Sequence, residues 1–214
     1  MIGKKVVGVG AALVDMLLEE SDAFVAHTGE PKGGMTLSEL HRIDHLLKKT
    51  SSEYLIAPGG SACNTLVGFS KLGGKGSFIG VCGTDKLGDF FETKIIEAGL
   101  QSLLKKSEHS TGRVLSIITP DAQRTMFTHL GAAGNFHPNF LNLEDFNNAG
   151  IVYIEGYLLD HFLLERISLF PMSKNKIGVI FDKSINEERI AYEVNVLNAL
   201  KAFNGCEILG YTIT

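Results

Sequence analysis

With 214 residues, 44% of them hydrophobic and 21% charged, the chain is long enough for one substantial core and has the balance of a soluble globular protein. A net charge of −4 without a long basic run argues against nucleic acid or a membrane surface as a partner. Three cysteines with no C-x-x-C pair argue against a disulfide framework and fit a reducing cytoplasm.

Lys4 to Gly10 reads as a short buried strand, built on Val6, Val7 and Val9. The apolar run from Val6 is cut by Asp15, with no clean small-residue cleavage site after it, which argues against a signal peptide. No uninterrupted run of about 18 apolar residues occurs, so no spanning helix is expected. Residues 13–18 are apolar around Asp15, and residues 27–37, with four glycines and prolines, read as a loop. Leu40, Ile43, Leu46 and Leu47 give helical spacing over Leu37 to Lys49, with Thr36 or Ser38 as the cap.

Tyr54 to Ala57 reads as a short strand ending at Pro58-Gly59-Gly60. Ser61 is placed to cap a helix with Ala62, Leu66, Phe69 and Leu72 on its apolar face, stopped by Gly73-Gly74. Ser77 to Cys82 reads as a strand, and Asp89 to Ala98 as a helix closed by Gly99. This alternation implies a parallel α/β sheet.

Val114 to Thr119 and Arg124 to His129 flank Pro120-Asp121-Ala122-Gln123, a hairpin with a proline-initiated turn. Ile151 to Glu155 and Ile177 to Phe181 read as buried strands, with a helix over His161 to Phe170 between them. The polar segment 184–207 has helical spacing, and Ile208 to Thr214 reads as a final strand.

The stretch Gly59-Gly60-Ser61-Ala62-Cys63-Asn64 carries the most chemistry. Its glycine amides and the Asn64 amide can bond sugar hydroxyls, since an amide donates and accepts as a hydroxyl does. The bland alternative is a tight turn before a helix. Gly8-x-Gly10 invites a dinucleotide-binding reading and an oxidoreductase, but Leu13 stands where the third glycine belongs. His41 and His45 share a helix face, yet no third metal ligand is placed with them, so a solvated face is expected.

In its order of segments the chain resembles the ribokinase-like (PfkB-type) carbohydrate kinase family, particularly its adenosine kinase-like branch. The first signature of that family is matched by Gly59-Gly60-Ser61-Ala62-Cys63-Asn64-Thr65 through Leu72-Gly73 and by Gly80-Val81-Cys82-Gly83-Thr84-Asp85-Lys86-Leu87-Gly88. Gly10 to Asp15 looks like the family's first strand with its substrate aspartate. Thr111-Gly112-Arg113, Arg124-Thr125-Met126 and Leu130-Gly131-Ala132-Ala133 look like its middle hairpin, and Tyr153-Ile154-Glu155-Gly156-Tyr157 like the next core strand.

The resemblance implies a doubly wound, mostly parallel α/β sheet with helices on both faces and a small β lid from about residues 13–18, 54–57 and 112–129. It also implies a sugar or nucleoside kinase using ATP and Mg2+, with Asp15, Gly59, Gly60 and Asn64 binding the substrate. Glu155 has two readings, a residue of the same crevice or a partner in a structural salt bridge. Lids of the family often pair, which makes a homodimer through the lid a further expectation.

One segment misleads. Gly131-Ala132-Ala133-Gly134-Asn135 looks like the family's catalytic loop, but Asn135 stands where a carboxylate is needed, and an amide cannot take the hydroxyl proton. It reads as the end of the hairpin. Nothing after Phe181 matches the family's nucleotide site, so the C-terminal part of the fold and the catalytic base are expected beyond Thr214. The other reading is a catalytically inactive sugar- or nucleoside-binding protein.

Overall fold

The structure, a computed structural model, describes residues 5–155, 176–180 and 207–208. The chain enters through β1 (Lys5–Val9) and passes Gly10–Ala12 into β2 (Leu13–Glu19). The Ser21 hydroxyl accepts from the Phe24 amide at 3.2 Å to cap α1 (Asp22–Thr28), and Gly29 at φ 78° closes it. Next come β3 (Met35–Leu37), α2 (Leu40–Lys49) and β4 (Tyr54–Gly59). Then follow α3 (Ser61–Lys71), β5 (Gly76–Ile79), β6 (Val81–Gly83) and α4 (Lys86–Glu97). The short β7 (Gln101–Ser102) and β8 (Lys105–Ser107) precede a hairpin of β9 (Gly112–Ile118) and β10 (Arg124–His129). The described chain ends with β11 (Ala149–Glu155), β12 (Lys176–Ile180) and β13 (Glu207–Ile208).

These strands make two main layers. The central sheet is parallel throughout, in the order β13-β12-β11-β1-β5-β7. The second sheet has the order β3-β10-β9-β2-β4 and mixes parallel and antiparallel pairs. Against the central sheet, α3 and α4 bury Leu66, Phe78, Phe91 and Ile95, each 0% exposed. Gly8 of β1 lies directly under Leu66, where a Cβ would collide, so this glycine serves helix–strand packing. The second sheet has its own core: Met16, Leu18, Leu115 and Phe127 pack against Val25 of α1 and Ile43 of α2.

Several local expectations are corrected. Residues 27–37 are not all loop: α1 ends there, and Met35–Leu37 forms β3 by pairing with Met126–Thr128. A three-residue strand is created by its partner, and no local pattern announces it. Neither Thr36 nor Ser38 caps α2; Glu39 holds that position without a side-chain bond, because Thr36 is drawn into β3 and gives its hydroxyl to Glu30 at 2.9 Å. Ser61 is the first residue inside α3, and Gly60 is its cap residue.

The strand expected over Ser77 to Cys82 is two strands broken at Gly80. There the Gly10 carbonyl comes so near that a Cβ at Gly80 would meet it at 2.7 Å, and the chain leaves β1 to pair with β8. The α4 helix starts earlier than expected, because Asp85 caps it at Gly88 at 2.8 Å. The helix expected over 161–170, residues 184–206 of the helical segment expected over 184–207 and residues 209–214 of the strand expected over 208–214 lie outside the described residues, while Glu207 stands in β13 with Ile208 and not in a helix.

Candidate functional site

In the central sheet, β1 has β5 on one side and β11 on the other. The chain works outward from β1 first through β5 and later, in the opposite direction, through β11. That reversal opens a crevice at the carboxyl ends of β1 and β11, where open α/β sheets hold ligands. Gly10 and Ala11 follow β1 at this end, and Glu155 is the last residue of β11.

Asp15 reaches the site from β2. Its neighbours Val14 and Met16 are buried at 0% and 4% exposure, while period-two alternation turns Asp15 to the other face. Beside β2 in the same sheet β4 runs antiparallel, pairing Asp15 with Ala57 and Leu13 with Gly59. A Cβ on Gly59 would collide with the Asp15 carboxylate. No donor among the described residues bonds that carboxylate, and burial raises its pKa from 3.8 to about 6, with the Arg124 charge pulling it down.

Gly60 turns the chain from β4 into α3 at φ 90°, a conformation that side-chain-bearing residues avoid, and a Cβ there would strike the Ala11 carbonyl. Its own carbonyl accepts from the Asn64 amide nitrogen at 2.9 Å, the first bond of the helix. The Asn64 side chain stands exposed in that opening turn, with no hydrogen-bond partner among the described residues.

Glu155 is 1% exposed. It accepts from the Ala11 amide at 2.7 Å, the Ala62 amide at 3.2 Å and the Ser61 hydroxyl at 3.2 Å. No cation pairs with it among the described residues. Burial pushes its pKa up, and the bonds from Ala11, Ala62 and Ser61 pull it back. Burial raises the Cys63 thiol to about 12, with the charges of Glu155 and then Asp15 adding to the effect. A thiol held protonated in this way is no nucleophile.

Asp15, Gly59, Gly60 and Glu155 therefore converge on one turn, and Asn64 stands on the helix that leaves it. Two features have no local signal in the sequence. Arg124, on the β10 end of the hairpin, acts on Asp15 through space. Asp85 accepts from the Thr111 amide at 2.8 Å and its hydroxyl at 2.6 Å, fastening the root of β9 to the start of α4. The Gly131–Asn135 segment is a short 3-10 turn after β10. His41 and His45 are both exposed on α2, and among the described residues no group of three or more His, Cys, Asp or Glu is placed to hold a metal ion.

Known proteins resemble the chain in sequence and in fold. A fructokinase of Escherichia coli is 33% identical over 82 residues, 37% of this chain and 27% of the relative. A fructokinase of Vibrio alginolyticus is 26% identical over 105 residues, 48% of this chain and 33% of the relative. The adenosine kinase of Sinorhizobium meliloti superposes with a TM-score of 0.80 at 25% identity, covering 94% of this chain and 62% of that one. A probable sugar kinase of Rhizobium etli superposes with a TM-score of 0.79 at 25% identity, covering 100% and 74%. The matched stretches thus span about a third or less of the two fructokinases and under two thirds of the adenosine kinase. Residues 38–201, well over half of the chain, match the pfkB family carbohydrate kinase, and with the ribokinase-like α/β fold around its crevice the chain belongs to that family.

Proposed function

We propose that this chain binds the phosphoryl acceptor of an ATP-dependent kinase, a sugar or nucleoside whose primary hydroxyl receives the γ-phosphate. One observation carries the reading: a largely buried Asp15 carboxylate without a donor among the described residues, set against a glycine. Such a carboxylate gains charge-assisted bonds from two hydroxyls, and an analogue lacking them leaves it unpaired. Gly59 and Gly60 let the backbone approach the ligand, and the Asn64 amide donates to one hydroxyl and accepts from another.

The second sheet is then a lid on a single α/β domain, carrying Asp15 over the crevice and excluding water that competes as acceptor. Its edge strand β4 exposes Tyr54, Leu55 and Ile56 at 42%, 73% and 41%, which supports a homodimer through this sheet. Leu55→Lys is expected to shift such a dimer to monomer in sedimentation. Free, buried Cys63 and Cys82 suit a reducing cytoplasm.

ATP and Mg2+, which bring the phosphoryl group and neutralise its charge, enter through the family. The residues described here bind and orient the acceptor, and the reading leaves the catalytic base outside them. Calorimetric titration with adenosine and with fructose, paired with an ADP-release assay, tests the reading. Saturable binding of one acceptor is expected, without acceptor-dependent ADP release from these 214 residues alone, since the reading leaves the catalytic base outside them. ADP release by this chain alone overturns that placement of the base. Binding without turnover in a protein extended by the family's C-terminal part means an inactive binding protein, and no binding of either class removes the acceptor reading.

A further inference from the structure

We propose that Glu155 is a positioning residue of this site, a carboxylate brace that ties the Gly10–Ala11 turn to the start of α3 and so holds Asp15 and Asn64 in register. The inference rests on the acceptor-site reading above for its functional consequence, while the brace itself is a matter of geometry.

The two flanking segments come from different layers. Ala11 leads into β2 and Asp15, and Ala62 shares the first turn of α3 with Asn64. The pairing of Leu13 with Gly59 links the two segments along the second sheet, and Glu155 adds a fixed point from the central sheet. Glu155 ends β11, inside the parallel sheet, and joins both: one carboxylate oxygen accepts from the Ala11 amide at 2.7 Å. The other accepts from the Ala62 amide and the Ser61 hydroxyl at 3.2 Å each.

Helix α3 needs this partner. Its first amides have no carbonyl behind them, and its cap residue Gly60 has no side chain to offer. A carboxylate at that end also meets the positive pole of the helix. Gly10 completes the junction, since a Cβ there would meet both Ala62 Cβ and Glu155 Oε2 at 2.7 Å. Three backbones meet here, and the Glu155 carboxylate is the side-chain group that bonds to two of them. All three described partners of Glu155 are donors, so an ionised carboxylate satisfies them, whereas a glutamine would turn an NH2 group toward one of them. With its oxygens taken by protein donors and 1% of its surface exposed, Glu155 acts on the acceptor through Asp15 and Asn64.

The test uses Glu155→Gln and Ser61→Ala in the full chain, with two independent readouts. Amide hydrogen exchange at Ala11 and Ala62 is expected to speed up about tenfold in Glu155→Gln and about threefold in Ser61→Ala, with the distant Ile117 amide unchanged. The Kd for the acceptor, adenosine or fructose, is expected to rise about tenfold in Glu155→Gln by calorimetric titration. Unchanged exchange at both amides overturns the brace. Faster exchange with an unchanged acceptor Kd overturns the positioning role. A raised acceptor Kd with unchanged exchange makes Glu155 a direct ligand and also overturns it. Should Glu155→Gln not fold, Ser61→Ala decides by the same criteria at the smaller expected change. If the parent protein binds neither acceptor, the functional reading fails while the exchange measurement still decides the brace.

Discussion

Gly59 lies so close to Asp15 that a Cβ at position 59 would collide with the carboxylate. The two residues sit on adjacent antiparallel strands, β4 and β2, and the missing side chain leaves room beside a carboxylate that no described donor satisfies. Gly59→Ala is expected to fill that room. Acceptor affinity should fall by about tenfold or more, equivalent to about 1.4 kcal/mol, in calorimetric titration.

Asp15 gives the site a pH dependence. With a pKa of about 6 before ligand binds, the carboxylate is ionised at pH 7.5 and gains its proton as pH falls through 6. A protonated acid has lost acceptor capacity and charge, so acceptor affinity should decline from pH 7 to pH 5. The linkage to stability has the opposite direction. A folded-state pKa above the ordinary 3.8 means that protonation favours the fold, a contribution present in full below 3.8 and lost as pH rises through about 6. Asp15→Asn should therefore stabilise the unliganded protein at pH 7.5 by on the order of 1–3 kcal/mol and give little at pH 4, read by denaturant unfolding.

Asp85 behaves in the reverse way. Burial pushes its pKa up, but the Thr111 hydroxyl, the Thr111 amide and the Gly88 amide outweigh it and hold the carboxyl below 3.8. Its stabilising contribution is present above that value and lost as pH falls through the depressed pKa. Asp85→Ala should lower unfolding free energy at pH 7 by about 2 kcal/mol, since it removes a helix cap and the anchor of β9 together.

Asn64 separates binding from stability. Its side chain is exposed and has no partner among the described residues, so Asn64→Ala should leave the melting temperature nearly unchanged. Acceptor affinity should drop by more than about 1 kcal/mol, the scale of one lost hydrogen bond. Unchanged affinity removes Asn64 from the site.

How much of this was legible in the sequence depends on how local each cause is. The central parallel sheet announces itself through Val-rich runs alternating with helical spacing, and the hairpin through Pro120 and its flanking strands. A carboxylate inside the apolar run at Asp15 and paired glycines before a helix are likewise local signals. Strands β3 and β8 are not, because each exists through pairing with a remote segment. The break at Gly80 is set by the backbone of Gly10, and the cap of α3 comes from Glu155, in another strand of the fold. The influence of Arg124 on Asp15 likewise crosses the second sheet. What the sequence hid were the partners of residues it had already singled out.

The most direct test of the account is calorimetric titration of adenosine and of fructose into the parent protein and into Asp15→Ala at pH 7.5, with melting temperatures recorded in parallel. The account predicts that one acceptor binds the parent, and that Asp15→Ala folds normally but binds at least about a hundredfold more weakly, the effect of losing charge-assisted bonds to two hydroxyls. Equal affinity in the two proteins would contradict it.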